Sequence, residues 1–300
     1  MGNVLICGSS GFIGHTLRKY LLDKGYGVKT LDRTSQNHQQ SFVWNFENEN
    51  AVPLEALKDV NTIINLAGAN IGQSRWTKKR KEEIKRSRTL PAENLAQALR
   101  AYRLSIDTYI SSSAVGYYGA YTHEKVYTEK DKAGRGFLGS VCLDWEHSTA
   151  QFEDVSKRII ILRKGVVLGR EGGMYKRLLP LVRLGINTCI GSGNQYLPWI
   201  HIMDLIRIYN FFIKHEEIEG IFNVASPQYI QMKDFAKELS ESMSKKRWTP
   251  AAPLFAARLL FGEMSKMITE GSRVNIKKLR DTGFEFHFPV LKEALQDLAR

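Results

Sequence analysis

The residues best suited to chemistry stand at the start of the sequence. A short apolar run, Asn3-Val4-Leu5-Ile6-Cys7, leads directly into Gly8, Gly11 and Gly14. Three glycines at that spacing, between a β-branched run and a helical pattern, suit a dinucleotide pyrophosphate. Glycine permits the tight turn, lets the backbone approach the phosphates, and seats the helix closely on the strand. The helix start adds unpaired N–H groups and the positive end of its dipole. Without its position, such a pattern is an ordinary glycine-rich turn. Further along, Tyr117 and Tyr118 carry phenols at a strand end, and His201 carries a ring that titrates near neutrality. Cys142 lacks a neighbouring cue for thiolate activation. Arg75 and Trp76 stand side by side, suited to hold an anion and stack on a ring, or simply to form a patch at a helix start.

The elements that must position these groups follow from periodicity. Ile13, Leu17, Tyr20 and Leu21 have helical spacing, with a stop at Gly25. Residues 28–31 read as a second strand ending at Asp32-Arg33, 42–44 as a short third, and 62–68 as an almost wholly apolar fourth covered on both faces. A helix is expected near 79–102, with Pro91 kinking or dividing it. A fifth strand is expected at 108–113, a helix at 139–152 and a sixth strand at 158–163. Beyond Gly169 come helices near 174–184 and 204–214, an extended stretch at 220–225, a mostly helical remainder and a short strand near 284–286. This alternation predicts an α/β fold, a Rossmann-type doubly wound parallel sheet with a small, mostly helical C-terminal lobe. Residues 1–169 would form the dinucleotide-binding domain, with 195–225 returning to it, and 170–194 and 226–300 the smaller substrate-side lobe.

Composition narrows the classes. Three hundred residues, 43% hydrophobic, suffice for a large core. The charge of +12 invites a nucleic-acid reading. Its basic residues, however, are scattered over helix surfaces, as at Lys78-Lys79-Arg80-Lys81 and Lys245-Lys246-Arg247. No RNA-binding signature, finger spacing or basic tail accompanies them. An anionic cofactor explains the excess more simply, and no nucleic-acid partner is expected. Cys7, Cys142 and Cys189 form an odd set without a close pair, so neither a disulfide framework nor a metal site is indicated. The first residues read as a strand, not a leader, and no uncharged stretch reaches membrane-spanning length. A cytoplasmic, soluble protein without a membrane partner is expected.

Several motifs together resemble the extended and atypical short-chain dehydrogenase/reductase superfamily. They are Gly8-x-x-Gly11-x-x-Gly14, Asn65-Leu66-Ala67-Gly68, Ser111-Ser112-Ser113-Ala114 and Trp199-Ile200-His201-x-x-Asp204. More narrowly, the chain resembles the "epimerase family protein" group, which has bacterial and human members and a small C-terminal domain. The stretches Ser113-Ala114-Val115-Gly116-Tyr117-Tyr118-Gly119, Trp145-Glu146 and Leu162-Arg163-x-Gly165-Val166-Val167-Leu168-Gly169 carry that likeness. The resemblance implies an NAD(P) site. Gly8, Gly11, Phe12, Ile13 and Gly14 match its pyrophosphate turn, and Asp32 and Arg33 the end of the second strand, where the adenosine ribose is read. An acidic residue there binds a 2′-hydroxyl and an arginine a 2′-phosphate. With both present, NADP is expected, and Asp32 leaves NAD open. Leu66, Ala67 and Gly68 match the loop under the adenine and ribose. Glu83, Arg88 and Ser112 match polar positions beside the cofactor, and Arg163 and Val167 the segment facing the nicotinamide.

The resemblance also exposes a gap. Superfamily enzymes use a serine with a Tyr-x-x-x-Lys pair, whose lysine and ribose depress the tyrosine pKa for proton exchange. Ser113 matches the serine, but Leu138 stands at the tyrosine and Cys142 at the lysine. Ser113, with Tyr117 or Tyr118 or a water as proton donor, is the catalytic expectation, and Arg75, Trp76 and His201 the substrate-side one. The function expected is an NADP-dependent oxidoreductase or nucleotide-sugar-epimerase-like enzyme acting on a small molecule, as monomer or homodimer. The alternative is a non-catalytic dinucleotide sensor that engages a protein partner.

Overall fold

The computed structural model describes residues 2–48, 52–245 and 249–300, so Lys246 and Arg247 of the basic run lie outside the described residues. The first half alternates as periodicity predicts: β1 (Asn3–Cys7), α1 (Phe12–Asp23), β2 (Gly27–Asp32), β3 (Ser41–Val43), α2 (Leu54–Leu57), β4 (Thr62–Asn65), α3 (Lys78–Ala101) and β5 (Ile106–Ala114). Then come β6 (Val126–Tyr127), α4 (Phe137–His147), β7 (Ser156–Lys164), β8 (Val166–Gly169), α5 (Gly173–Arg183), β9 (Trp199–His201), α6 (Ile202–Lys214) and β10 (Gly220–Val224). The C-terminal part adds α7 (Met232–Ser242), α8 (Leu254–Phe261), α9 (Lys266–Thr269), β11 (Arg273–Val274), α10 (Lys277–Asp281) and α11 (Leu291–Ala299).

Seven strands form one parallel sheet in the order β10-β7-β5-β4-β1-β2-β3. Side chains alternate across it. Val4 and Ile6 join the core under α1 and α6, whereas Leu5 and Cys7 join Leu95, Leu99 and Phe152 on the α3 face. The chain order reverses between β1 and β4, where Cys7 is level with Leu31 on one side and Asn65 on the other. Gly8, Asp32 and Leu66 therefore emerge together at the C-terminal edge, at the crevice where open α/β sheets bind ligands. In the C-terminal part, Phe235 and Leu239 of α7 pack with Leu291 and Leu295 of α11, in a cluster that also takes in Leu168 of β8 and Trp199 of β9.

Four expectations are corrected. β4 stops at Asn65, because the Asn65 side chain accepts the Ala67 N–H at 3.1 Å and turns the chain into a loop. α3 is one continuous helix with Pro91 buried inside it, so Pro91 does not divide it. The helix expected at 139–152 ends as an α-helix at His147, where the hydroxyls of Ser148 and Thr149 bond the carbonyls of Trp145 and Glu146, and a 3₁₀ turn follows. No strand forms at 284–286. Arg207 bonds the Glu285 carbonyl and the Asp204 carboxylate takes the His287 and Phe288 N–H groups, so α6 satisfies that backbone instead.

Gly14 shows how closely α1 is seated on the turn. A Cβ there would lie 2.3 Å from the Gly8 carbonyl oxygen and 2.7 Å from Ser9 Cα. Gly14→Ala should therefore push α1 off β1 and destabilise the fold by about 1–3 kcal/mol, measurable as a lowered urea midpoint. An unchanged midpoint would show that the helix yields freely.

Candidate dinucleotide site and the buried network beside it

At the β1–β4 switch point a cavity of about 420 Å³ opens, within the range of small-molecule pockets. Gly8, Gly11, Asp32, Arg33, Leu66, Ala67, Gly68 and Glu83 line it, together with Ser10, Trp44, Phe46 and Ser87. Gly8 has φ +83°, and a Cβ on it would meet the Leu66–Ala67 backbone at 3.1 Å, so only glycine lets the two loops close here. Gly11 caps α1 with no side-chain bond and no acidic residue in the first turn. The first N–H groups of that helix are thus free for an anion. Phe12 and Ile13 contribute this backbone, while their side chains face inward. The Phe12 ring fills the space that Cβ atoms on Gly169 or Gly172 would occupy.

Asp32 and Arg33, adjacent in sequence, do different things. Asp32 is buried, and both its oxygens are taken. Ser9 Oγ donates to Oδ2 at 2.5 Å, and the Ser10 N–H and hydroxyl donate to Oδ1 at 3.0 Å each. The carboxylate braces the glycine turn. Arg33 is exposed on the cavity rim, with no hydrogen-bond or ionic partner among the described residues.

Glu83 pairs with Arg80 at 2.7 Å on the cavity side of α3. Arg88 is buried one turn further along, its guanidinium donating to the Ile84 and Ala69 carbonyls and lying over the Trp145 ring. Burial pushes its pKa down to about 10, which leaves it charged at neutral pH. It holds the 66–70 loop against α3.

Ser113 and Arg163, in register on β5 and β7, belong to a second assembly. Ser113 Oγ donates to Glu146 Oε1 at 2.6 Å, and Arg163 grips the same carboxylate through Nε at 2.9 Å and Nη2 at 2.7 Å. Arg163 Nη1 donates to the Tyr118 hydroxyl at 3.0 Å, which donates in turn to Asn223 Oδ1 at 2.6 Å. Burial would lower the pKa of Arg163, but the Glu146 bonds and charge outweigh it and hold the guanidinium above its ordinary range. Burial pushes the Tyr118 phenol up to about 12, against the pull of Arg163. The hydroxyls of Ser113 and Tyr118 are therefore already committed inside the protein. Tyr118→Phe leaves Asn223 Oδ1 and Arg163 Nη1 each short of a partner, for an expected loss of about 1–3 kcal/mol in a denaturation curve. A neutral result would mean that water replaces both bonds.

Tyr117 differs from Tyr118. Its ring lies 3.4 Å below the Arg163 guanidinium, and its hydroxyl has no partner among the described residues. Ser112 turns to the opposite face of β5 and pairs with the Tyr209 hydroxyl at 2.9 Å, away from Ser113. Val167 is half-buried against the α1–α6 core.

The three substrate-side residues are not brought together. Arg75 bonds the Leu259 and Leu260 carbonyls of α8, clasping the 66–77 loop to the lobe. Trp76 donates to the Ile71 carbonyl and sets its ring edge-on to Phe137 at 4.7 Å. His201 caps α6 by accepting the Met203 N–H, and stands beside Phe288 and Asp297 in a separate hollow between α1 and α11. Burial holds its pKa below the usual histidine value. Leu138 and Cys142 lie against Gly116 on α4, and burial pushes the Cys142 thiol up to about 12, so it stays neutral.

Sequence reasoning missed the roles of Ser9 and Ser10, visible only once β2 is set level with the turn. It also missed Glu146 as the hub of the network, although Trp145-Glu146 was among the matching stretches, and Lys164, which follows Arg163.

Among the described residues no group of three or more His, Cys, Asp or Glu could hold a metal ion, and no helix is long and apolar enough to cross a membrane. The model of the NAD dependent epimerase/dehydratase family matches residues 4–225, and that of DUF1731, a domain of unknown function, residues 252–298. An epimerase family protein of Mycobacterium tuberculosis, MT2273, is 36% identical over 294 residues, spanning 97% of this chain and 96% of the relative. The crystal structure of human epimerase family protein SDR39U1 with NADPH superposes with a TM-score of 0.90 at 28% identity, covering 99% of both chains. A nucleoside-diphosphate sugar epimerase from Corynebacterium glutamicum superposes with a TM-score of 0.79 at 29% identity, over 99% of this chain and 58% of that one. A glycine turn, a level switch point and a match over residues 4–225 agree: this chain belongs to the NAD dependent epimerase/dehydratase family.

Proposed function

We propose that this protein binds NADP(H) in the β1–β4 crevice and is an oxidoreductase or epimerase-like enzyme acting on a small molecule. The observation that carries this reading is the division of labour at the end of β2. Asp32 spends its carboxylate on Ser9 and Ser10, while Arg33 presents an unpartnered guanidinium to the cavity. That pair no longer reads a 2′-hydroxyl but still attracts a 2′-phosphate. The solved human relative carries NADPH, which agrees with it.

In this reading the free N–H groups of α1 hold the pyrophosphate, Arg33 the adenosine phosphate, and Leu66–Gly68 the adenine side. The bound cofactor would supply hydride chemistry. The network of Ser113, Glu146, Arg163 and Tyr118 ties β5, β7 and α4 together beside the crevice, and the Tyr117 hydroxyl has no partner among the described residues. The test is a titration with NADPH and NADH followed by nicotinamide fluorescence, then a screen of carbonyl compounds and nucleotide sugars against the loaded protein. Tighter binding of NADPH than NADH and turnover of one compound class are expected. Failure to bind either dinucleotide would overturn the reading. Tight binding without turnover would favour the dinucleotide sensor, a reading suggested by Leu138 and Cys142 where a tyrosine and lysine would be needed.

A further inference from the structure

Lys164 is the last residue of β7, in register with Ala114 on one side and Val224 on the other. It is half-buried, and among the described residues its ammonium has neither a hydrogen-bond acceptor nor a carboxylate partner. As the last residue of β7, it stands at the C-terminal edge of the sheet. A dinucleotide whose adenosine fills the cavity at β1 and β2 crosses the switch point, and its nicotinamide falls on the β5–β7 side. Lys164 stands on that side.

The surrounding charges are one-signed. Arg88 on α3 is the charge acting on Lys164. Cys142 on α4 is neutral, Arg163 is compensated by Glu146, and Ala114 and Val224 carry no charge. Among the described residues no carboxylate acts on Lys164. Oxidised and reduced NADP differ by one positive charge on the ring, all else being equal, so like-charge repulsion acts on the oxidised form alone.

We propose that Lys164 makes this site discriminate the redox state of its cofactor, favouring the neutral dihydronicotinamide over the positively charged nicotinamide. The inference rests on the dinucleotide reading above and serves an enzyme or a sensor equally. It carries a pH signature. Burial, with Arg88 adding to it, pushes the Lys164 ammonium down to about 7. The lysine is charged below that pH and neutral above it, so the discrimination is strongest in acid and fades as the pH rises through neutrality.

The experiment measures NADPH affinity by fluorescence and NADP⁺ affinity by competition, from about pH 6 to about pH 9, on the full chain and on Lys164→Met and Lys164→Arg. The wild type should prefer NADPH by about tenfold more at the acid end than at the alkaline end. Lys164→Met should show a flat, weaker preference. Lys164→Arg, which cannot lose its proton in this range, should show a flat, strong one. A ¹³C-dimethyl-lysine NMR titration reads the ionisation directly, and one resonance near neutrality, absent from both variants, is expected. A wild-type preference that does not change with pH, a slope that survives in Lys164→Met, or a Lys164 resonance titrating at the ordinary lysine value would overturn the proposal. Loss of all dinucleotide binding in the wild type would instead sink the reading it rests on, and the NMR titration would still decide whether Lys164 switches.

Discussion

Glu146→Ala is expected to lower the unfolding free energy by about 3–5 kcal/mol, the usual cost of removing one partner from a buried ion pair. Glu146 and Arg163 are both almost fully buried, with side chains 6% and 2% exposed. Truncating the glutamate strands a guanidinium it holds by two charged hydrogen bonds and leaves the Ser113 hydroxyl without its acceptor. Tyr118 and the Glu129 carbonyl still touch Arg163 Nη1, but neither carries charge. Glu146→Gln should cost less, because one oxygen can still accept while the new NH₂ faces a donor. Combining Glu146→Leu with Arg163→Met should recover much of the loss, since an apolar pair of similar volume avoids desolvating two charges. Urea denaturation of the three variants gives the order. If the alanine variant were as stable as the wild type, the pair would be wet in solution and the network would not anchor β5 to β7.

The difference between what was legible in the sequence and what was not lies in the range of the interactions. The sheet was readable because its determinants are local. Alternating apolar strands and helical stripes specify a doubly wound fold whichever residues meet later. The glycine turn was equally legible, since Gly8 and Gly14 answer to backbone geometry within a few residues. Roles set by contacts across the chain were not. Asp32 reads as a ribose ligand until the register of β1 and β2 brings Ser9 and Ser10 onto it. Ser113 reads as a catalytic hydroxyl until Glu146, 33 residues away, accepts its hydrogen bond. The strand expected at 284–286 failed for the same reason, because Asp204 and Arg207 on α6 took over its backbone groups. Lys164 drew no attention at all, since a lysine after a buried strand signals nothing until its lack of a partner is seen.

The remaining prediction separates the two ends of the cofactor site. Arg33→Ala should weaken NADPH binding about 10–100-fold, corresponding to the roughly 1.5–3 kcal/mol of a charge-assisted hydrogen bond, and leave NADH nearly unchanged. Arg33 is exposed and makes no bond among the described residues, so its removal should not disturb the fold. Gly11→Asp should abolish binding of both dinucleotides, because it sets a carboxylate and extra bulk at the free N-terminus of α1, where the pyrophosphate would sit. A Cβ on Gly11 meets only the Gly8 carbonyl, at 3.4 Å, so this variant too should fold. Together the variants give opposite patterns in one fluorescence titration: one loses selectivity, the other loses affinity. If Arg33→Ala weakened NADPH and NADH equally, the arginine would be reading the adenosine without its 2′-phosphate. The cofactor preference would then have to come from outside the β2 end. If instead Gly11→Asp still bound NADPH, the helix start would not hold the pyrophosphate. The brace that Asp32 forms with Ser9 and Ser10 would then be holding a turn with no ligand above it.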